Sequence, residues 1–416
     1  MRLNRTVLLC IAALTATALP AGPATAAPAS APASVLAPAA AYRAPQACVS
    51  TPQPAPGPDG GTAGKVLEIA RKAQRELGLN AVVLRVDSGT EEVVTGALGT
   101  SMTGVPADPA MHFRSGSVGI AYMTTALLQL VDEGKAGLDD PVSRWLPDVP
   151  HASEITLRML GASTSGLRDY VTDPEFLAAY EAAPFRNWTP AEVIGISTSH
   201  PLLYEPGTNW SYSHANFQIL GAALEKISGL PLGELLTARV MGPLGLDQTR
   251  NGATPEIPAP ALHAFTSERG PYEESSYWNP SWTTAPGAVL TSDICDLARS
   301  ARALGTGELL SPEAFRTQLD PGTVGLGTPE DCPAGVCMKN TQARHFGLGV
   351  IVVDGWILQN PSFSGYAALQ AYLPELGLTI AVSTTKGPKS PEGNSAQTVA
   401  ERISAALAPG HVLKMK

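Results

Sequence analysis

The position of the strand-like runs most constrains what this chain can fold into: they sit at the two ends of the folded part, with helical periodicity between them. Asn80 to Val86 and Glu92 to Leu98 are rich in β-forming residues. Asp87-Ser88-Gly89 joins them, which predicts a hairpin. Leu348 to Val353, Trp356 to Leu358, Ala367 to Tyr372 and Leu378 to Ser383 supply strands near the other end. Lys65 to Leu77, Val118 to Glu133, Thr291 to Leu304 and Ala396 to Leu407 carry helical patterns, and residues from about 136 to 260 read as helices and loops. Strands from both ends sharing one sheet, with helices inserted between them, predict an α/β lobe carrying a mostly helical lobe. No internal repeat is visible.

The chain has 416 residues, of which 44% are hydrophobic and 16% charged, enough apolar surface for a large core. That excludes disorder for the bulk of the chain. The formal charge is -9 and there is no long basic run, which argues against a nucleic-acid partner. After residue 26 no apolar stretch reaches the roughly 20 residues of a membrane helix.

Residues 1–26 read as a secretory signal: Arg2 and Arg5, an apolar run from Thr6 to Leu19, and the small-x-small site Ala24-Thr25-Ala26. The expected location is therefore extracellular or at the cell wall. Residues 27 to about 60 carry eight prolines between Pro28 and Pro58 and predict an extended spacer, with folded structure beginning near Gly61. Beyond the signal lie Cys48, Cys295, Cys332 and Cys337. An even count in an exported chain suggests disulfides. Cys332 and Cys337 can close a small loop and leave Cys48 for Cys295, but all three connectivities are open from sequence. No histidine pair stands near these cysteines at metal-ligand spacing, and no metal or cofactor is called for.

Phe113-Arg114-Ser115-Gly116-Ser117, followed by Leu127-Leu128-Gln129-Leu130-Val131-Asp132-Glu133-Gly134-Lys135, resembles the penicillin-recognising serine hydrolases. Class C β-lactamases and secreted D-alanyl-D-alanine carboxypeptidases are the nearest types. Ile155-Thr156-Leu157-Arg158, Thr164-Ser165-Gly166-Leu167, Pro206 to Ser213, Asn279-Pro280-Ser281-Trp282, Asp296 to Arg299 and Phe346 to Gly349 extend the match over roughly residues 65 to 408. The resemblance implies a β-lactamase/transpeptidase-like fold. Its antiparallel sheet lobe, flanked by helices, would span about 61–135 and 283–410, and its helical lobe about 136–282. It also implies acyl transfer through a serine ester on an ester, amide or peptide substrate, peptidoglycan-derived peptides among them.

Carried over residue by residue, the family pattern is damaged here. Ser117 holds the nucleophile position, but the lysine expected three residues later is Ile120. Tyr212 is kept, while the asparagine two residues beyond it is His214. The strand triplet falls at Gln359-Asn360-Pro361 in place of Lys or His, any residue, Gly. Gln359 and Asn360 are expected on the substrate side, and Ser362 as a further N–H for the oxyanion together with that of Ser117. A serine hydroxyl needs a base or a polarising neighbour, and Ile120 supplies neither. Tyr212 alone is a weak substitute, since about one phenol in a thousand is ionised at pH 7. His214 is either a replacement base or a filler of the vacated amide space. The alternative to a nucleophilic Ser117 is a helix N-cap. Trp210, Trp278 and Trp282 read as packing or pocket walls, and Lys386 as solvated.

Three readings follow: a divergent serine hydrolase or acyltransferase with weak or absent standard activity; a non-catalytic relative that binds a cell-wall fragment, metabolite or protein; or a pocket repurposed for cyclisation or isomerisation of a specialised metabolite. The sequence is silent on oligomeric state.

Overall fold

A computed structural model describes residues 48–52, 60–252, 254–328, 332–333 and 335–415. The signal segment and most of the spacer lie outside them. The chain order is α1 (Gly61–Glu76), β1 (Ala81–Ser88), β2 (Glu91–Met102), β3 (Val105–Pro106), β4 (Phe113–Arg114), α2 (Val118–Asp132), α3 (Leu157–Ala162), α4 (Pro174–Ala182), α5 (Pro190–Thr198), α6 (His214–Ser228), α7 (Leu232–Leu236) and α8 (Gly242–Leu244). It continues through β5 (Arg250–Gly252), β6 (Phe265–Thr266), β7 (Glu273–Glu274), β8 (Val289–Ser292), α9 (Ile294–Thr306), α10 (Pro312–Leu319), β9 (Arg344–Phe346), β10 (Ile351–Val353), β11 (Trp356–Gln359), β12 (Ser362–Phe363), β13 (Tyr366–Leu373), β14 (Leu378–Thr385) and α11 (Ser395–Leu407).

Among the described residues nine strands form one sheet in the order β3-β2-β1-β14-β13-β11-β10-β9, with β12 added on β13. Each of its pairings is antiparallel. The two ends of the chain meet at its centre, where Val83 pairs Ser383 and Leu84 pairs Val382. Strand alternation then serves two cores. Val82, Leu84, Leu369 and Val382 face α1 and α11, against Val66, Leu67, Val399 and Ile403. Ala81, Val83, Ala368 and Ala381 face a second cluster shared with α2, α9 and the helical lobe. β13 and β14 are buried along their whole length because helices cover both faces. Burying a Val or Leu side chain contributes about 1.5–3 kcal/mol, so the double layer holds the lobe together.

The beginning of the folded part corrects the sequence expectation. Cys48 to Pro52 is not spacer: Cys48 is disulfide-bonded to Cys295 in α9. Thr51 N–H donates to the Thr95 carbonyl at 2.9 Å, and Thr95 N–H donates to Thr51 Oγ1 at 2.7 Å. The second disulfide joins Cys332 to Cys337. Among the described residues no helix is long and apolar enough to cross a membrane.

Candidate active site

The site sits where α2, the segment entering α6, and β12 converge. Gly116 has φ +41°, a conformation that favours glycine, and a Cβ there would come 2.8 Å from Pro361 Cβ. The chain therefore turns against Pro361 just before Ser117. Gly119 lets α2 press onto the segment leading into β8, since a Cβ there would lie 2.1 Å from the Ala288 carbonyl oxygen. Ser117 precedes α2 but makes no side-chain capping bond. The missing side-chain cap removes the N-cap reading, and the hydroxyl stands beside the Tyr212 phenol. Ile120, one turn on, is fully buried in the core and offers no polar atom to Ser117.

Tyr212 is fixed through its neighbours. Ser163 adopts φ +59° at the end of α3, and its hydroxyl donates to the Ser211 carbonyl at 2.9 Å. The same oxygen accepts from Ser213 N–H at 3.1 Å and from the Asn216 amide at 3.0 Å. Burial pushes the Tyr212 phenol above its ordinary range; the neighbouring Ser117 hydroxyl opposes this, and the charge of Asp169 reinforces it. Among the described residues no cation is one of the groups acting on it. Tyr212 is thus a neutral phenol at physiological pH.

His214 opens α6 and is claimed by Asp169. The imidazole Nδ1 lies 3.0 Å from each carboxylate oxygen, and the His214 backbone N–H donates to Asp169 Oδ1 at 3.2 Å. The pairing assigns the ring proton to Nδ1 and leaves Nε2 as an acceptor. The imidazole stands edge-on to Tyr212, centroids 5.1 Å apart, and 5.9 Å from Trp282. Asp169 was invisible to local sequence reading, because it lies 45 residues before His214.

The strand triplet is engaged elsewhere. Gln359 is buried and its amide donates to the Gly349 carbonyl at 2.5 Å. The Asn360 amide donates to Gln397 Oε1 at 2.9 Å. Neither amide is offered to a ligand. Ser362 is exposed on β12, whose pairing runs to β13 alone among the described strands. Lys386, expected to be solvated, is half-buried and pairs with Glu392 at 3.2 Å. Trp210 is a packing residue, its Nε1–H donating to the Ala162 carbonyl at 3.0 Å, and Trp278 is buried. Two further residues close to the site escaped the sequence: Tyr180 and Ser364, whose hydroxyl oxygens lie 2.5 Å apart.

Comparison with known proteins matches this architecture. The chain is 28% identical over 242 residues to an uncharacterized protein of Mycobacterium tuberculosis, covering 51% of this chain and 60% of the relative's length. It is 26% identical to the esterase EstB of Burkholderia gladioli, over 72% of this chain and 80% of the esterase. The solved D-stereospecific amidohydrolase from Streptomyces sp. superposes with a TM-score of 0.70 at 27% identity, covering 85% of this chain and 99% of that one. The penicillin-binding protein from Bacillus halodurans, at 20% identity and TM-score 0.64, shares the fold. The Beta-lactamase family model matches residues 67–403, and the chain belongs to that family, the β-lactamase-fold serine hydrolases.

Proposed function

We propose that this chain is a secreted, divergent acyl hydrolase in which Ser117 attacks an ester or amide carbonyl, with Tyr212 and the His214–Asp169 pair handling protons in place of the family lysine. The juxtaposition of the Ser117 hydroxyl and the Tyr212 phenol carries this reading. A neutral phenol cannot simply take a proton, but it can pass one along. As the Ser117 oxygen bonds to the carbonyl carbon, its proton moves to the Tyr212 oxygen and the phenol proton moves to the leaving oxygen or nitrogen. The products are an acyl-serine and a protonated leaving group. Water then attacks the acyl-serine; His214 Nε2 takes its proton, Asp169 stabilises the imidazolium, and the proton returns to Ser117. No step uses a fixed cation, so standard β-lactam and D,D-peptide turnover is expected to be weak or absent. The signal-like amino end and the two disulfides support export.

A second reading, a non-catalytic binding protein, draws on Ile120 being sunk in the core and Pro361 lying against Gly116. Labelling separates the two. A fluorophosphonate probe should modify wild type and not Ser117→Ala, with slower modification of Tyr212→Phe. Absence of labelling, together with no turnover across a panel of esters and amides, would leave the binding reading standing.

A further inference from the structure

Ser163 is not the sole anchor of the segment that carries Tyr212. Three residues before the phenol, Asn209 is buried and uses both ends of its amide. Its Oδ1 accepts from the Trp210 N–H at 2.9 Å and from the Gly327 N–H at 2.8 Å, and its Nδ2 donates to the Thr328 carbonyl at 3.0 Å. The side chain thus pairs with two consecutive residues between α10 and β9 as the backbone of a neighbouring strand would. Gly327 permits this approach: it stands at φ +93°, and a Cβ there would lie 1.9 Å from the Met338 carbonyl oxygen. The segment doubles back on itself, the Gly325 N–H donating to the Asn340 carbonyl at 2.9 Å and the Asn340 N–H to the Leu326 carbonyl at 2.8 Å. Its returning limb reaches the same phenol. Asn340, also buried, accepts at Oδ1 from the Phe346 N–H at 2.8 Å. The Phe346 ring stands 5.6 Å from that of Trp210 and 6.1 Å from that of Tyr212. Two buried asparagines therefore close a circuit that starts three residues before Tyr212 and ends on the flank of its ring.

We propose that Asn209 is a positioning residue for Tyr212: by locking the segment before it onto Gly327 and Thr328, it holds the phenol beside the Ser117 hydroxyl. This rests on the acyl-hydrolase reading. Asn209 acts through the phenol alone, so its grip governs how fast the acyl-serine forms and not how tightly a substrate is held. The contact demands a donor and an acceptor on one planar group, because an N–H and a carbonyl face it together. A carboxylate at this position would turn an oxygen lone pair on the Thr328 carbonyl. A protonated carboxylic acid would present the same donor and acceptor as the amide.

The test follows modification of Ser117 by the fluorophosphonate probe in wild type, Asn209→Ala, Asn209→Asp, Tyr212→Phe and the Asn209→Ala, Tyr212→Phe pair. Asn209→Ala should lower the rate at saturating probe about ten- to a hundredfold, the effect of a misplaced reacting group, and leave the half-saturating concentration unchanged. In the Tyr212→Phe background the same substitution should cost nothing more, since the group it places is gone. An unchanged rate in Asn209→Ala, or a further fall in the pair, would overturn the assignment. Asn209→Asp supplies a second readout, which stands even where the alanine variant does not fold. Burial raises the new carboxyl, so the rate relative to wild type should be low at about pH 8 and recover toward about pH 5. A ratio that does not change with pH would count against the proposal. If wild type neither takes the probe nor hydrolyses any ester, the hydrolase reading fails by itself. The placement of the phenol is then read by fluorine NMR of protein labelled with 3-fluorotyrosine, the Tyr212 line being the one missing from Tyr212→Phe. Asn209→Ala should move or broaden that line; an unmoved line would reject the positioning role.

Discussion

Asp169 grips His214 at two points, accepting from the imidazole Nδ1–H at 3.0 Å and from the backbone N–H at 3.2 Å. A carboxylate that fixes both the ring and the first turn of α6 leaves the imidazole one orientation and one tautomer. Asp169→Asn should leave the fold intact and slow acyl-serine breakdown by about 10²-fold or more, since a misoriented or wrongly protonated imidazole is no base. His214→Gln should match it, and the double variant should be no worse than either. Single-turnover kinetics with an ester that accumulates acyl-enzyme checks this; equal breakdown rates in all four proteins would remove His214 from the mechanism.

Placing a lysine at position 120 should not create penicillin acylation. Ile120 is fully buried within the larger apolar cluster. Ile120→Lys would set an ammonium in those surroundings at a cost of several kcal/mol. Pro361 still lies on Gly116 and Gln359 still points to Gly349. The expected result is a clear fall in Tm with no gain in labelling by fluorescent penicillin. Ile120→Met, close to volume-conserving, should cost less than about 1.5 kcal/mol.

The order of the elements was legible from periodicity. Long runs such as β13, β14 and α2 carry their own pattern, and the departures of Ile120, His214 and Gln359 to Pro361 from the motifs that the resemblance implies stand in the sequence itself. What stayed hidden depends on lobe packing. Asp169 meets His214, and Tyr180 meets Ser364, across 45 and 184 residues of chain, so no local spacing announces either pair. Gln359 looked like a substrate contact because it stands first in the strand triplet that the resemblance places beside the substrate. Its inward turn follows from the Gly349 carbonyl below it, which a linear reading does not place. Lys386 looked solvated because its partner Glu392 lies beyond the end of β14.

Acid should favour the fold through Asp296. Burial, then the neighbouring charge of Asp293, raise its carboxyl from 3.8 to about 6, against hydrogen bonds from Gln248 and Thr249. The folded state therefore holds this proton more tightly than the unfolded chain. The stability that follows is fully present below pH 3.8 and is lost as the pH rises through about 6, a change of roughly 3 kcal/mol. The Tm difference between Asp296→Asn and wild type should grow in favour of the variant from pH 4 to 6, then level off. A difference independent of pH would show that Asp296 does not titrate in this range.

The two disulfides should differ in weight. Cys48–Cys295 spans 247 residues and Cys332–Cys337 spans 5. In the chain-entropy picture their removal costs roughly 5 and roughly 2 kcal/mol. Cys48→Ser with Cys295→Ser should lower Tm more than the Cys332, Cys337 pair of substitutions. It should also free residues 48–52 from β2, seen as faster amide exchange at Thr51 and Thr95. Equal losses in the two variants would contradict this.

The complete burial of Ile120 has a consequence for redesign. A proton acceptor one turn past Ser117 cannot be grafted in by exchanging that residue alone, because the neighbours that settle around its sec-butyl branch would have to be recut with it. Whoever wishes to rewire this serine must begin with the packing and only then turn to the chemistry.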